Sequence, residues 1–371
     1  MTGSSPPRSV ALAIFRLAPA GGLEQHCLRL AAILAARGCS VTLITTRAPV
    51  IATDAAVEVI LARGRTNHAR LAAFAADAAR AAVGRFDVTV AFHAIPGFDV
   101  IFCADPSRAN PAPLKRWLPR YAAYARLERE AFASGQLGRA LLLSSAQLEG
   151  FARNTGAPRD RLTLLPPTVD RLRARPPTPE ARVAARTRLG LGGEPVWLWM
   201  GLQPKTKGLD RALAALAATP DARLLVCGLD PASRGGAAMR RLAARLRLGA
   251  RVTWLGFADD AGLAQATAAA DVLVHPSRAD VTGTVILEAM ASGLPVITTA
   301  LCGYGEHVIA AGAGIVLPEP FQAAALAAAV RTAPARALAW STNALAYAGR
   351  DDLFSGLERA ADLIAGARRG P

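Results

Sequence analysis

The chain has 371 residues, of which 52% are hydrophobic and 19% charged, and its formal net charge is +15. The hydrophobic content excludes a disordered protein, and the length predicts two domains with separate cores. A basic excess suits nucleic acid, an anionic membrane or a phosphorylated substrate, or it is arginine-rich compositional drift without function. Nucleic acid is disfavoured, because the sequence lacks zinc-finger spacing and aromatic RNA-binding motifs.

The cysteines and the first residues indicate the compartment. The five cysteines are scattered, without a Cys-x-x-Cys pair: Cys27, Cys39, Cys103, Cys227 and Cys302. Their odd number and apolar neighbours favour reduced thiols in a cytosolic protein. The first ten residues lack the apolar core of a secretory signal, and no apolar run reaches the roughly 18–20 residues that span a bilayer. We therefore expect a cytoplasmic protein whose membrane contact is peripheral.

The N-terminal part begins with a strand–helix–strand pattern at 10–15, 23–37 and 40–46, which implies a parallel sheet. Its first turn contains Gly21 and Gly22 but lacks Gly-x-Gly-x-x-Gly, and no acidic residue follows the second strand to bind a ribose. The pattern therefore disfavours a nicotinamide cofactor. The two glycines either let the backbone approach a ligand or simply form a turn.

Further strands are predicted at 57–61, 87–92, 140–144 and 162–165. Because open α/β sheets bind ligands at the carboxyl ends of their strands, three polar residues after strand 87–92 become candidates: His93, Asp99 and Asp105. His93 can equally be a hydrogen-bonded structural histidine at a strand end.

Residues 110–132 form a basic segment with interleaved aromatic residues. The apolar and aromatic members are Trp117, Leu118, Tyr121, Tyr124 and Leu127, and the basic members are Lys115, Arg116, Arg120 and Arg126. This composition is typical of a helix that lies in a membrane interface. The alternative is a surface helix whose aromatic residues face its own core.

Composition shifts at 171–195, which is rich in Arg, Pro and Gly and predicts a crossing between domains. A second α/β alternation follows. Its predicted strands are 196–201, 223–227, 252–255, 271–275, 295–299, 308–310 and 314–317, with helices at 209–218, 237–246, 261–270 and 284–292 and further helices from 321.

The segment 275–299 predicts a strand, a glycine-containing loop, a helix and a second strand, with Asp280 in the loop and Glu288 in the helix. A loop that leads into a helix N-terminus presents N–H groups and the positive end of the helix dipole, which suits an anion. Alternatively, Thr284, Glu288 and Ser292 form an ordinary solvent-exposed stripe at four-residue spacing.

Three weak signals occur together: Gly21-Gly22 after the first strand, Lys207-Gly208 after the first strand of the second half, and Asp280-x7-Glu288. In this order they resemble the retaining GT-B glycosyltransferases of the family 4 type over nearly the whole chain. The similarity is closer to the lipopolysaccharide core heptose α-1,3-glucosyltransferases. The segments that carry it are PAGGLEQH (19–26), RTNHAR (65–70), IPGFDVIFCAD (95–105), LLPP (164–167) and CGYGEHV (302–308).

The resemblance implies two Rossmann-like parallel-sheet domains with a cleft between them. Residues 1–167 would form an N-terminal acceptor domain and 168–345 a nucleotide-sugar domain, with a helix in 346–371 packing back toward the N-terminal domain. It implies retaining transfer of a hexose, most simply glucose from UDP-glucose, to a heptose-containing lipopolysaccharide core lipid. The UDP-sugar would be a co-substrate, and no cofactor is expected. No metal is expected either, since the histidines are dispersed and no Asp-x-Asp occurs.

The resemblance also assigns roles on the C-terminal side. Glu288 would bind both ribose hydroxyls, and a carboxylate suits that diol. Asp280 would contact the donor hexose at a position where the family usually has the longer Glu. The backbone of Thr282, Gly283 and Thr284 would meet the diphosphate.

Cations and N-terminal residues complete the expected site. Lys207 would neutralise the leaving diphosphate. The common family arginine is absent, since Leu202 follows Gly201, so Arg173 or Arg171 would replace it, with Lys205 as a further option. The other implied residues are Gly21 and Gly22 at the diphosphate, His93 at the donor hexose and Asp99 as an acid beside it. The expected catalytic residues are thus Asp99, Lys207 and Asp280.

Under this reading the positive charge attracts a phosphorylated glycolipid and the anionic cytoplasmic membrane face. The candidates for the acceptor side are Arg63, Arg65, His68 and Arg70. Other hypotheses are a transferase for another glycolipid or an exopolysaccharide, a GT-B UDP-sugar epimerase, and a catalytically silent protein that binds lipid or polyanions.

Overall fold

The computed structural model describes residues 9–17, 22–47, 53–133, 135–169 and 175–367. Its internal contacts divide the chain into two units. The first comprises the described residues up to Thr168 together with those from Ser355 onward, and the second is Val169–Phe354.

The first unit is a parallel α/β sheet. Its elements in chain order are β1 (Ser9–Ala13), α1 (Gly22–Ala36), β2 (Ser40–Thr45), β3 (Ala56–Val59), α2 (Asn67–Ala82), β4 (Val88–Ala91), β5 (Val100–Cys103), α3 (Pro119–Ala133), β6 (Arg139–Leu142), α4 (Ser145–Thr155) and β7 (Leu162–Leu164). The strand order is β3-β2-β1-β4-β5-β6-β7, and every pairing is parallel. The central strands are almost wholly apolar because helices cover both faces of such a sheet.

The second unit repeats this architecture. Its elements are α5 (Pro179–Arg188), β8 (Val196–Met200), α6 (Leu209–Ala217), β9 (Arg223–Cys227), α7 (Arg234–Arg245), β10 (Val252–Gly256), α8 (Asp260–Ala269), β11 (Val272–His275), α9 (Thr284–Ala291), β12 (Val296–Thr299), α10 (Gly305–Ala311), β13 (Gly314–Leu317) and α11 (Ala323–Ala348). The order is β10-β9-β8-β11-β12-β13, again parallel throughout. Trp197 and Trp199 of β8 are fully buried in its core.

The strand order of each sheet reverses at one point, between β1 and β4 in the first unit and between β8 and β11 in the second. At such a point the helices that follow the two strands lie on opposite faces, and a crevice opens at the carboxyl ends of the strands. The second unit therefore places its ligand crevice between the loops that follow β8 and β11.

The last helix, α12 (Gly356–Ala365), belongs to the first unit and packs against α1 and β4. Arg37 at the end of α1 pairs with Glu358 at 2.5 Å and Asp362 at 2.8 Å. The helix begins at a glycine because a Cβ at Gly356 would lie 2.2 Å from the carbonyl oxygen of Pro166.

The structure confirms the predicted fold class of two parallel α/β sheets. One predicted strand is wrong: residues 308–310 lie in α10, which ends at Gly312 in the left-handed conformation. A short apolar run suits a strand or a buried helix, so only the packing decides. Among the described residues, no helix is long and apolar enough to cross a membrane.

The buried His26 makes the stability of the first unit depend on pH. Its ring is buried on α1, with Nε2 2.8 Å from the hydroxyl of Thr168. Burial, and then the charge of Arg29, lower its pKa from 6.5 to about 4. Between these pH values the unfolded chain binds a proton at His26 that the folded chain does not, so stability falls as the pH drops through this window.

We expect His26→Gln to remove this component, which amounts to up to about 3 kcal/mol between pH 7 and 4. Urea unfolding of the first unit at both pH values measures it, with His68→Gln as the control at another histidine of that unit. Equal pH dependence in wild type and His26→Gln would contradict the assignment.

Candidate functional site

An ion pair joins the two loops that flank the crevice of the second unit. Lys207 follows β8, Asp280 follows β11, and the Lys207 Nζ lies 2.6 Å from Asp280 Oδ2. The two strands are neighbours at the point where the sheet order reverses. The structure thus brings together two residues that are far apart in sequence and that the sequence selected separately.

His275, the last residue of β11, contacts the same carboxylate oxygen. Its Nε2 lies 3.1 Å from Asp280 Oδ2, and its ring is buried. Burial by itself raises the pKa of Asp280, but the hydrogen bond from His275 and the charge of Lys207 outweigh it and lower the pKa to about 2. Asp280 is therefore a fixed negative charge at neutral pH.

The backbone of the Asp280 loop is paired with the loop after β12. The Asp280 N–H donates to Leu301 O at 3.1 Å, and Gly303 N–H donates to Asp280 O at 2.9 Å. Tyr304 N–H donates to Thr282 O at 2.7 Å. These bonds fix the backbone of the loop from Asp280 to Thr282, two residues before α9 begins.

Gly283 makes the turn from this loop into α9. Its φ is +77°, in the left-handed region, and a Cβ there would lie 2.4 Å from the Cys302 sulfur. No side chain of the described residues caps the N-terminus of α9. The positive end of the helix dipole is thus presented at the Asp280 loop, as an anion site requires.

Thr284 and Glu288 lie one turn apart on α9, and both are half-buried. Ser292, the third member of the suggested solvent-exposed stripe, is buried and its hydroxyl donates to the Glu288 carbonyl at 3.0 Å. The stripe is therefore not an ordinary solvent-exposed face, and the role of Glu288 as the ribose ligand stays a prediction.

The Lys207 loop is equally constrained. The buried indole of Trp199 donates to the Lys207 carbonyl at 3.0 Å, and Lys207 N–H donates to Gln203 O at 2.8 Å. Gly208 is left-handed with φ +73°, and a Cβ there would lie only 2.0 Å from the carbonyl oxygen of Pro276. The glycine of the Lys-Gly pair is thus required because no side chain fits at its position, whereas the lysine supplies the charge that pairs with Asp280.

Three side chains that can bind a metal ion meet beside Lys207. Ligand atoms of His275, Asp280 and Cys302 lie within 4.8 Å of one another. The Lys207 ammonium lies against the same Asp280 oxygen, so a metal ion would have to displace it. The sequence did not reveal this cluster, because Cys302 lies beyond the next helix and strand. The absence of a metal from the reaction stays a prediction.

In the first unit, His93 and Asp105 line one pocket at the carboxyl ends of β4 and β5, above the stacked rings of Phe92 and Phe102. Burial lowers the pKa of His93 to about 4, against the opposing effect of Asp105, so the imidazole is neutral at pH 7. The Asp105 carboxylate pairs with Arg108 at 3.0 Å.

Arg108 and Glu128 also line this pocket, and neither was predicted from the sequence. Arg108 lies over the ring of Tyr124 at 4.9 Å, and the buried Glu128 accepts hydrogen bonds from Ser107 and from the Arg108 and Ala109 N–H groups. Glu128 is in α3 and its partners are in the loop after β5, so no local pattern connects them.

Asp99 does not lie at the carboxyl end of a strand, where the sequence predicted it. It is buried at the amino end of β5, opposite the ligand-binding edge, and its Oδ2 accepts from Thr89 N–H at 2.8 Å and Thr89 Oγ1 at 2.6 Å. The placement differs because β5 was not predicted, and the catalytic role of Asp99 stays a prediction. Asp99 therefore precedes a strand instead of ending one.

The structure describes two of the other residues that were expected at the donor site, Gly22 and Lys205. Gly22 is the first residue of α1, exposed, with open space where a Cβ would lie. Lys205 is exposed in the Lys207 loop. Gly21, Arg171 and Arg173 lie outside the described residues.

Comparisons with known proteins agree with this architecture. Residues 184–337 match the family model of glycosyl transferases group 1. The lipopolysaccharide glucosyltransferase WaaG of Escherichia coli (strain K12) is 33% identical over 381 residues, which cover 97% of this chain and 100% of that protein.

Solved structures show the same fold. A crystal structure of WaaG, described as a glycosyltransferase involved in lipopolysaccharide biosynthesis, matches with a TM-score of 0.87 at 31% identity and covers 96% of this chain and 100% of its own. Anabaena HepE in complex with UDP and glucose matches with a TM-score of 0.74 at 20% identity, covering 96% and 99%, which shows the fold alone. The expected GT-B fold is confirmed.

Replacing Gly208 tests how tightly the two loops are packed. We expect Gly208→Ala to lower the free energy of unfolding of the second unit by about 3 kcal/mol or more, because left-handed strain adds to a backbone clash. Gly190 has φ +63° with open space for a Cβ, so Gly190→Ala should cost only about 1 kcal/mol. Urea unfolding followed by tryptophan fluorescence measures both, and equal losses would contradict the packing account.

Proposed function

The chain belongs to the group 1 glycosyl transferases, and on that premise we propose that it moves a hexose from a UDP-sugar to a lipopolysaccharide core lipid with retention of configuration. The observation that carries this proposal is the Lys207–Asp280 pair at the N-terminus of α9. The name of the E. coli relative supports glucose as the hexose and lipopolysaccharide as the acceptor.

The donor diphosphate binds at the start of α9. Backbone N–H groups around Thr282, Gly283 and Thr284 and the helix dipole favour its charge. Glu288, one turn further on, accepts hydrogen bonds from the ribose hydroxyls, because a carboxylate has two oxygens for a vicinal diol.

Lys207 and Asp280 act on the leaving group and the hexose. The Lys207 ammonium has three protons, so it can keep its bond to Asp280 while donating to a phosphate oxygen. Its charge stabilises the diphosphate most strongly as the bond to the sugar breaks. Asp280, fixed by His275, accepts from a hexose hydroxyl, and its short side chain restricts which hydroxyl it reaches.

The proposed transfer needs no enzyme base. The bond between the anomeric carbon and the phosphate oxygen breaks while the acceptor oxygen attacks from the same face. The acceptor proton passes to the departing phosphate oxygen. In this scheme neither Asp99, which is buried against Thr89, nor His93, which is neutral in its pocket, is required as a base.

We expect Lys207→Ala and Glu288→Ala each to abolish hexose transfer and leave the fold intact, because the first removes the leaving-group cation and the second the ribose ligand. For Lys207→Ala we expect the rate of transfer to fall by a factor of about 10²–10³. Product analysis with UDP-glucose and a core-lipid acceptor is the measurement, and thermal stabilisation by a series of nucleotide sugars identifies the donor. Glu180→Ala, at an exposed glutamate of α5, is the control. Full activity in either site variant would overturn the donor-site assignment.

The basic aromatic segment supports association with the membrane. Leu114 and Trp117 are 89% and 78% exposed, and Lys115, Arg116 and Arg120 are exposed around them. Farther along α3, Leu127 and Phe132 are buried. The first half of the segment therefore presents apolar and basic groups to a surface, whereas the second half packs in its own unit. We propose that this half rests on the anionic cytoplasmic face of the membrane.

Charge reversal tests this surface. Replacing Lys115, Arg116 and Arg120 with Glu should release the protein from vesicles that contain anionic lipid, as measured by co-sedimentation. The control is the same replacement at Arg240, Arg241 and Arg245, three exposed arginines of α7, which gives the same change in net charge. Unchanged binding of the first variant, or equal release of both, would rule out a specific role for the segment.

The acceptor side is proposed to include the residues before and at the start of α2. Arg63 and Arg65 are exposed, and Thr66 caps the helix by accepting from Ala69 N–H at 3.3 Å. His68 and Arg70 are half-buried in its first turn. The positive charge of Arg63, Arg65 and Arg70 suits the phosphates of an inner-core lipid.

A further inference from the structure

Arg278 lies two residues before Asp280, and its side chain reaches across to the other loop of the site. Its Nη1 donates to the Lys205 carbonyl at 2.7 Å. Its guanidinium also binds the carboxylate of Asp210, in the first turn of α6, through two bonds of 2.7 and 2.8 Å. One side chain thus joins the Asp280 loop, the Lys207 loop and the helix that follows Lys207.

Backbone bonds at the same place show that the two loops run side by side. The Arg278 N–H donates to Thr206 O at 2.8 Å, and the Ser277 hydroxyl donates to the same oxygen at 3.1 Å. Arg211 of α6 donates back to Pro276 O at 3.2 Å. Thr206 immediately precedes Lys207, so these bonds set the position of the lysine along the Asp280 loop.

We propose that Arg278 is a positioning residue: its bidentate clamp on Asp210 and Lys205 holds Lys207 against Asp280 for catalysis. The inference rests on the proposed donor site and adds to it a residue that touches neither donor nor acceptor. The guanidinium is committed to the carboxylate and the carbonyl, so it acts through the loop geometry.

An arginine is required because the planar fork makes two parallel bonds to a carboxylate while a further N–H reaches the carbonyl. A lysine is a point charge and can keep the attraction to Asp210 without fixing its direction. The geometry of the Lys207 loop, more than its net charge, then decides how well the leaving diphosphate is stabilised.

The test compares Arg278→Ala with Arg278→Lys and with the control Arg159→Ala. Arg159 makes a similar two-bond pair with Glu149 at 2.9 and 2.8 Å, in the first unit. We expect Arg278→Ala to lower kcat about 10–100-fold, because misplaced catalytic groups lose rate steeply, while the KM for the donor changes less than about threefold. Arg278→Lys should recover part of kcat, and Arg159→Ala should match wild type.

Asp210→Ala supplies the second half of a double-mutant cycle. It should lower kcat as Arg278→Ala does, and the double variant should be no slower than either single variant, because both remove the same clamp. Urea unfolding midpoints of Arg278→Ala and Arg159→Ala should stay close together, which separates loop positioning from a general loss of stability.

Two results would overturn the inference: an unchanged kcat in Arg278→Ala, or a raised donor KM at constant kcat, which would make Arg278 a direct phosphate ligand. Lys207→Ala in the same assay separates this inference from the proposed function. If Lys207→Ala is inactive and Arg278→Ala is fully active, only the proposed role of Arg278 is ruled out. If Lys207→Ala is active, the proposed donor site itself is ruled out.

Discussion

The second unit is organised around a cation and a carboxylate that must meet across two loops. Lys207 and Asp280 come from neighbouring strands at the point where the sheet order reverses, and their 2.6 Å contact sets the distance between those loops. Bringing both charges out of water is favourable only when each is paired and hydrogen-bonded, and His275 supplies the additional bond. The surrounding glycines, carbonyls and arginines can be understood as the means of keeping that geometry.

Close backbone approach is the main such means. Gly208 lies against the Pro276 carbonyl and Gly283 against the Cys302 sulfur, at distances that no Cβ would allow. Both glycines are also left-handed and stand directly before α6 and α9. Each helix can therefore begin beside the charged pair, with its dipole directed at the crevice, where the proposal places an anionic donor group.

The carboxyl ends of the strands in the first unit carry different side chains from those in the second unit. His93 and Asp105 line an aromatic-floored pocket with Arg108, while the opposite edge of the sheet carries the buried Asp99–Thr89 pair. Beside α3, exposed apolar and basic side chains form the proposed membrane surface. Under the proposed function, the net charge of +15 would attract a phosphorylated lipid to this protein.

The sequence by itself determined the two parallel α/β units, the family, and the candidate status of Lys207, Asp280, Gly283 and Glu288. It could do so because apolar strand periods, helix caps and the Lys-Gly and Asp-x7-Glu patterns are local. Only the tertiary structure decided that Lys207 and Asp280 are in contact, that His275 and Cys302 stand beside them, and that Arg278 joins the loops.

The tertiary structure also placed Asp99 at the amino end of its strand and residues 308–310 in a helix. These outcomes depend on which strand lies beside which, and on whether a residue precedes or follows its strand. A pattern along the chain fixes the period of an element but not its neighbours, and partners such as Asp280 and Cys302 become adjacent only when the sheet is assembled.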